Sequence, residues 1–499
     1  MRFVRHFLVL AAIFAAPVSA VSAQDFANKL DEFIPKAMDL KIAPGVVVAV
    51  VKDGEVRYLK GFGQADVEAN RPVDPDTVFY IASSTKSFTG LAAALLHLRE
   101  EISLDASLAD YLPNAKLDEA LDAESITLKE LLTHTHGIDN NGPVAFRAAY
   151  TGEFTNELLV DLLSKHGPQE DGKTFRYGNI GYNVATLAMD AKLQKGWKHV
   201  LADEIFGPLG MKSTTGFVSQ VAADRLAMPY RLTGDGFGQL HYGKTDNNMH
   251  SAGGLVTTGR DITRWLLANT QQGKVDGEQA LPAKAFELAH EPYATQTGQY
   301  MSFGRTGYGL GWNTGTYDGD KFWHHFGGFS GFHSHISFMP EHNIGVAVFA
   351  NTTQGGFVAD LIARYAYDNL LEKADVDAKF ADQLEQFEQQ IANGRQSIAA
   401  DLARRQARSQ ELSKPLTAYA GEYRNADYGL VTFKVVEGKL KMEMGAINSD
   451  VEVYDAERDA LRVEVGGSGN VAFFHFENGD HASSITVLDE SFERVENSP

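Results

Sequence analysis

The stretch Gly45-Val46-Val47-Val48-Ala49-Val50-Val51 decides how this chain folds. A run with no polar side chain and five valines reads as a strand covered on both faces, because a strand with one wet face would alternate. Asp53-Gly54 follows as a turn pair and Val56-Arg57-Tyr58-Leu59 as the returning strand, so the run opens a hairpin. Far downstream, Phe332 to Met339 and Ile344 to Asn351 are again β-rich and are separated by Pro340-Glu341-His342-Asn343, which predicts an antiparallel pair. Between these ends the apolar residues recur at helical spacing. Phe88, Leu91, Leu95 and Leu98 predict a buried helix from Ser84 to Leu98, and further helical stretches begin near Thr127, Glu157, Tyr182 and Asp261. Strands at both ends with helices between them predict one sheet closed by the two ends of the segment. The fold class is therefore α+β, an antiparallel sheet flanked by helices with a largely helical middle, and not regular βαβ winding.

Composition changes after Leu371. Residues 372–414 are charged and free of proline, and Phe380, Leu384, Phe387 and Ile391 predict an amphipathic helical linker that Asn393-Gly394 should stop. Arg404, Arg405 and Arg408 cluster in its second half, as part of that connector or as a patch for a partner. From Pro415 onward the sequence is strand and turn. Val431 to Val435 alternates before Glu437-Gly438, and Val471 to Phe476 alternates before Asn478-Gly479, each an expected hairpin of a small barrel or sandwich. The expected organisation is a leader over 1–23, a main unit over 24–371, a helical linker over 372–414 and a β unit over 415–499.

Whole-chain arithmetic removes several function classes. The 499 residues carry 45 Lys+Arg against 65 Asp+Glu, a net charge of -20, and no cysteine. Without a thiol there is no disulfide framework, thiolate nucleophile, cysteine-ligated metal or lipidated N-terminal cysteine. The spread of acidic charge argues against a nucleic-acid surface, which needs clustered Lys and Arg. A hydrophobic fraction of 44% fits a globular chain.

Arg2 and Arg5, the apolar run Phe7 to Ala16, and the small-residue sites Val18-Ser19-Ala20 and Val21-Ser22-Ala23 read as a secretory leader cut before Gln24. The run is too short for a stable membrane span. Its removal takes the net charge to -22 over 476 residues. The expected location is periplasmic or secreted, with no membrane span in the mature chain.

Ser83 stands three residues before Lys86 at the start of the buried helix, a spacing that puts both side chains on one face. A serine hydroxyl needs a base to become a nucleophile, and a desolvated lysine with a lowered pKa serves as one. At a helix N-terminus the backbone N–H of Ser83 also faces positive potential, suited to a developing oxyanion. Two further segments bear on this. Phe175 to Tyr182 contains Tyr177-Gly178-Asn179, and His325-Phe326-Gly327-Gly328 lies just before the Phe332 strand.

Taken in order with Leu131-Leu132-Thr133-His134-Thr135-His136-Gly137, Ile205-Phe206-Gly207-Pro208-Leu209-Gly210-Met211 and Ala252-Gly253-Gly254-Leu255, these segments resemble the serine β-lactamase and penicillin-binding-protein superfamily. The likeness is to class C β-lactamases and to the D-alanyl-D-alanine carboxypeptidase and D-aminopeptidase group, over about residues 26 to 371. The resemblance implies a β-lactamase/transpeptidase-like fold, Ser83 as acylated nucleophile, Lys86 as its base and Tyr177 as proton relay. It implies substrate contacts from Asn179, His325 and Gly327, and an oxyanion hole from the backbone of Ser83 and Gly328. No cofactor or metal is implied. His325 stands where many relatives have a lysine, and His136 where serine is usual. The end of the chain, from Tyr419-Ala420-Gly421-Glu422-Tyr423 to Val495, resembles a lipocalin-like β-barrel domain attached to some members.

Other signatures are missing. His324, His325, His333 and His335 lack metal-ligand spacing, no Gly-x-Ser-x-Gly elbow occurs, and Gly61-Phe62-Gly63 lacks a third glycine. The implied function is an exported serine hydrolase acting through a Ser83 acyl-enzyme on a peptide or amide bond, in peptides containing a D-residue. The alternatives are an esterase or β-lactam hydrolase on the same scaffold, or a penicillin-binding sensor that acylates without turnover. The expected partner is a small peptide, amide or ester, with homo-oligomerisation through the C-terminal unit as a further possibility. Loops around 138–156, 231–250 and 290–306 are expected to wall the pocket.

Overall fold

The computed structural model describes residues 22–139, 142–409, 411–477 and 479–495. All of the expected leader except Ser22 and Ala23 lies outside them, as does Asn478 of the second expected turn. The valine run is the strand Gly45–Lys52. It pairs antiparallel with Glu55–Asp66 on one side and with Ile344–Ala350 on the other, in register from Val46↔Ala350 to Lys52↔Ile344. The two ends of the segment therefore meet in the middle of one nine-stranded sheet. Beyond Ile344–Ala350 the strands run outward in reverse chain order: Phe332–Met339, Asp320–Phe329, Asn313–Tyr317, Phe303–Tyr308 and Ala294–Tyr300 at the edge.

Cover on both faces explains why the run does not alternate. Val46, Val48 and Val50 pack into the layer formed by helices Ala23–Asp39 and Gly356–Leu370. Val47, Ala49 and Val51 pack into the opposite layer, against Ile262, Trp265 and Leu266 of helix Gly259–Thr270. Each of these six strand side chains is at most 1% exposed.

Local signals fix the helix starts. Thr127 and Glu130 form a reciprocal capping box ahead of Leu128–Leu132. Thr155 caps Asn156–Leu163, and the Thr258 hydroxyl accepts from the Asp261 N–H ahead of Gly259–Thr270. The helix predicted from Ser84 is Thr85–Leu98, preceded by a 3-10 turn at Ala82–Ser84.

One expected boundary is corrected. Helix Val376–Gln406 runs through Asn393-Gly394 without stopping. Tertiary contacts override the local stop signal, because Arg395 donates to the carbonyls of Thr233, Gly236 and Lys41 and holds that turn against the main unit. The arginines further on are engaged within the chain, Arg405 with Glu452 and Arg404 with Asp401.

Strands from Gly421–Asn425 to Glu490–Arg494 form a second nine-stranded antiparallel sheet that curls into a nearly closed barrel. Its first expected hairpin turn is Glu437-Gly438, with both residues at positive φ, +52° and +76°, as a tight two-residue turn demands. Among the described residues no helix is long and apolar enough to cross a membrane.

Candidate active site

The turn carrying Ser83 is fixed from both sides. Strand Val78–Tyr80 pairs with Val256–Thr258, and the Ile81 N–H donates to the Leu255 carbonyl at 3.1 Å. The Ile81 carbonyl in turn accepts from Ser334 Oγ at 2.7 Å. Held in this way, Ala82 adopts φ +46°, a left-handed conformation that costs about 1–3 kcal/mol for a residue with a Cβ. The reversal delivers Ser83 to the helix start at the edge of a cavity of about 290 Å³.

Lys86 lies directly beneath and is 0% exposed. Its Nζ donates to Asn179 Oδ1 and to the Ala252 carbonyl, each at 2.8 Å, and sits 3.3 Å from Ser83 Oγ. No carboxylate among the described residues pairs with it, and burial pushes its pKa down to about 7. This arrangement orients the neutral amine. Two N–H bonds go to Asn179 and Ala252, so the lone pair is left facing the serine hydroxyl.

Tyr177 completes the group. Its hydroxyl is in hydrogen-bond contact with Ser83, and its ring centroid is 4.9 Å from Lys86 Nζ. Although 45% of the residue is open to the cleft, the protein crowded around its hydroxyl pushes the phenol up to about 12. Behind it, His134 packs at 4.6 Å between ring centroids and also touches Tyr308 at 4.7 Å. Burial holds this imidazole well below its usual range, so it stays neutral. His136, the second departure from the family pattern, is buried, accepts from the Ile138 N–H at 2.9 Å, and is pushed down to about 4. Of the two, His134 packs directly against the site through the Tyr177 ring.

His325 faces the same cavity as Ser83 and Tyr177. The ring lines the cavity, but burial, with Lys86 nearby, keeps it well below the ordinary histidine range. Its Nδ1–H donates to the Phe326 carbonyl at 3.0 Å, leaving Nε2 to accept from the Tyr308 hydroxyl at 3.1 Å. Both ring nitrogens are therefore used inside the protein. Gly327 and Gly328 line the same cavity. A Cβ on Gly327 would lie 2.0 Å from the Ile81 carbonyl oxygen, so the close approach of this strand to the Ser83 turn requires glycine there. A Cβ on Gly328 would make only an ordinary contact, 4.0 Å from His333 Nδ1.

Two groups carried no sequence signal. Tyr308 acts through His325 and His134. Arg305 lines the cavity, donates from Nε to His324 Nε2 at 3.0 Å and packs 5.0 Å from the Tyr300 ring centroid. Its terminal nitrogens have no hydrogen bond or ion pair among the described residues. The expected walls change accordingly. Gln296, Tyr300 and Arg305 come from the hairpin Ala294–Tyr300 and Phe303–Tyr308, not from a loop, and no described residue of 138–156 or 231–250 lines this cavity. A larger hollow of about 680 Å³, floored by Leu440 and Val453, belongs to the C-terminal barrel and contains none of these groups.

A family model described as Beta-lactamase matches residues 30–370. The chain belongs to the β-lactamase family. Protein flp of Staphylococcus aureus is 25% identical over 329 residues, which cover 66% of this β-lactamase-family chain and 63% of that relative. The octameric penicillin-binding protein homologue from Pyrococcus abyssi superposes with a TM-score of 0.60 at 24% identity, over 93% of this chain and 98% of that one. D-amino acid amidase from Ochrobactrum anthropi SV3 gives a TM-score of 0.57 at 22% identity, covering 69% of this chain and 98% of that one. The first structural likeness extends over the C-terminal barrel as well as the family segment.

Proposed function

We propose that this protein is an exported serine hydrolase that cleaves a peptide or amide bond in a small substrate containing a D-residue, through an acyl-enzyme on Ser83. The observation that carries this reading is the fully buried Lys86 amine, with no carboxylate partner among the described residues, 3.3 Å from Ser83 Oγ. Ser83 Oγ attacks the carbonyl carbon while its proton passes to Lys86 Nζ. The oxygen becomes an oxyanion, received by the backbone N–H groups of Ser83 and Gly328. As the C–N bond breaks, Tyr177 gives its proton to the leaving amine and recovers one from Lys86. Water then attacks the ester carbonyl, giving its proton back through the same groups, and the acid leaves with Ser83 restored. Asn179 is held by Lys86 through Oδ1, which frees its amide N–H₂ for a substrate carbonyl.

The two shifted groups suit different halves of this cycle. Near pH 7 about half of a lysine at about 7 is neutral, whereas a phenol at about 12 keeps its proton. Lys86 is thus the base and Tyr177 the acid. Below pH 7 the amine takes up a proton, so kcat/KM is expected to rise about tenfold per pH unit and to level off above about 7. A steady-state pH profile checks this. Stability follows the same proton. The unfolded chain holds it up to 10.5 and the folded chain only to about 7, so stability rises with pH across that window.

Arg305 is the one charged side chain lining the cavity among the described residues, and no carboxylate joins it. This favours a substrate carboxylate over a substrate ammonium as the second point of attachment. The D-residue rests on the superfamily resemblance and on the structural likeness to a D-amino acid amidase. The leader sequence supports export. The test is turnover of a D-alanyl dipeptide, its C-terminal amide, a short acyl ester and nitrocefin. The free-acid dipeptide is expected to be preferred, and Arg305→Gln to raise its KM about 10–100-fold while leaving the amide unchanged. Preference for the ester or nitrocefin points to the alternative hydrolases instead.

A further inference from the structure

Strand Asn313–Tyr317 pairs with Asp320–Phe329 only as far as His324. Residues 325–329 therefore present an edge with no strand partner among the described residues, beside Ser83. At about 3.3 Å per residue, five residues make an edge of roughly 16 Å. One end is marked by Arg305, tied to His324. The other runs into the C-terminal barrel.

The contact there is specific. The barrel turn Gly466-Gly467 sits between Ser330 and Tyr150: Ser330 Oγ donates to the Gly466 carbonyl, and a Cβ on Gly466 would lie 3.1 Å from the Tyr150 ring. Tyr150 in turn stacks on Phe329 at 5.5 Å, and the Tyr242 hydroxyl donates to its carbonyl at 2.7 Å. A second barrel contact holds the same segment, since the Ala446 N–H donates to the Thr151 carbonyl at 2.7 Å. Arg231 pairs with Glu464 at 2.8 Å alongside. Ser330 is two residues past Gly328, or roughly 7 Å along the strand.

We infer that the Gly466-Gly467 turn of the C-terminal barrel closes the far end of the substrate edge and restricts the enzyme to short peptides. The proposal rests on Ser83 hydrolysing a carboxylate-bearing peptide. With the carboxylate on Arg305, a peptide lying along the edge extends by its N-terminus toward Phe329, where Tyr150, Ser330 and the barrel turn stand in line. The chain beyond two or three residues meets protein instead of solvent.

The test is a series of free-acid D-alanyl peptides lengthened at the N-terminus, from two to six residues, with kcat/KM measured for the full-length protein and for the double variant Tyr150→Ala/Ser330→Ala. For the unaltered protein kcat/KM is expected to fall at least tenfold once the peptide exceeds three residues. In the double variant the ratio of long to short substrate is expected to rise at least tenfold. Gly466→Asn is a second variant that keeps the turn, because asparagine suits a two-residue hairpin, while its side chain presses on Tyr150. It should shift the same ratio. A flat length profile in the unaltered protein, with the short peptides turned over, overturns the proposal but leaves the hydrolase reading standing. No turnover of any length overturns both.

Discussion

Lys86→Ala is expected to lower kcat/KM by about ten-thousand-fold, with the rate of Ser83 acylation falling in parallel. The magnitude follows from removing the basic group that lies 3.3 Å from Ser83 Oγ, a role worth roughly 10²–10⁴-fold for a general base and more when the attacking hydroxyl depends on it. Lys86→Arg separates this account from a simple need for positive charge. A guanidinium keeps its proton at any working pH, so arginine preserves the charge and loses the lone pair. The arginine variant is therefore expected to be as inactive as alanine. Recovery to within tenfold of the unaltered enzyme shows that charge, not proton acceptance, is what the site needs. Acylation by a fluorophosphonate, followed over time, measures both variants without a known substrate.

The second large effect belongs to a residue with no side chain. Gly327→Ala places a methyl group 2.0 Å from the Ile81 carbonyl oxygen and 2.4 Å from Ser334 Oγ. Neither neighbour gives way freely, because the Ile81 carbonyl is the acceptor of Ser334 Oγ and Ile81 precedes the strained Ala82. Relief comes from moving the Ser83 turn away from the strand that carries Gly328. A displacement of about 1 Å between reacting groups costs on the order of 10²-fold, so kcat/KM should fall by about that factor or more. Gly328→Ala is the internal comparison. Its Cβ would make only an ordinary contact, 4.0 Å from His333 Nδ1, so the Ser83 turn stays in place and the loss of acylation rate should be at least tenfold smaller. Equal losses in the two variants argue against this geometry.

The sequence carried most of the frame and part of the site. The valine run could be read because burial on both faces leaves a direct mark on composition, and the Ser83–Lys86 spacing because helix geometry alone brings i and i+3 together. Tyr177 and Asn179 were legible through order and context. Arg305 and Tyr308 were not, since the register between edge strands brings them to the cleft and register is not written in local pattern. The neutral state of His325 was hidden for a similar reason, as it comes from burial beside Lys86, which only the assembled fold sets. Asn393-Gly394 misled because the anchoring of Arg395 on three distant carbonyls outweighs a local stop signal. The seating of Gly466-Gly467 on Ser330 and Tyr150 links segments far apart in the chain, and neither announces the other.

The central claim is that Ser83 becomes covalently acylated. Intact-protein and peptide mass spectrometry after incubation with a fluorophosphonate and, separately, with a penicillin tests it most directly. The account predicts a single adduct on the peptide containing Ser83, formed faster as pH rises toward about 7 and abolished by Ser83→Ala. An adduct on another residue, or none on the folded protein with Ser83→Ala behaving identically, would contradict it.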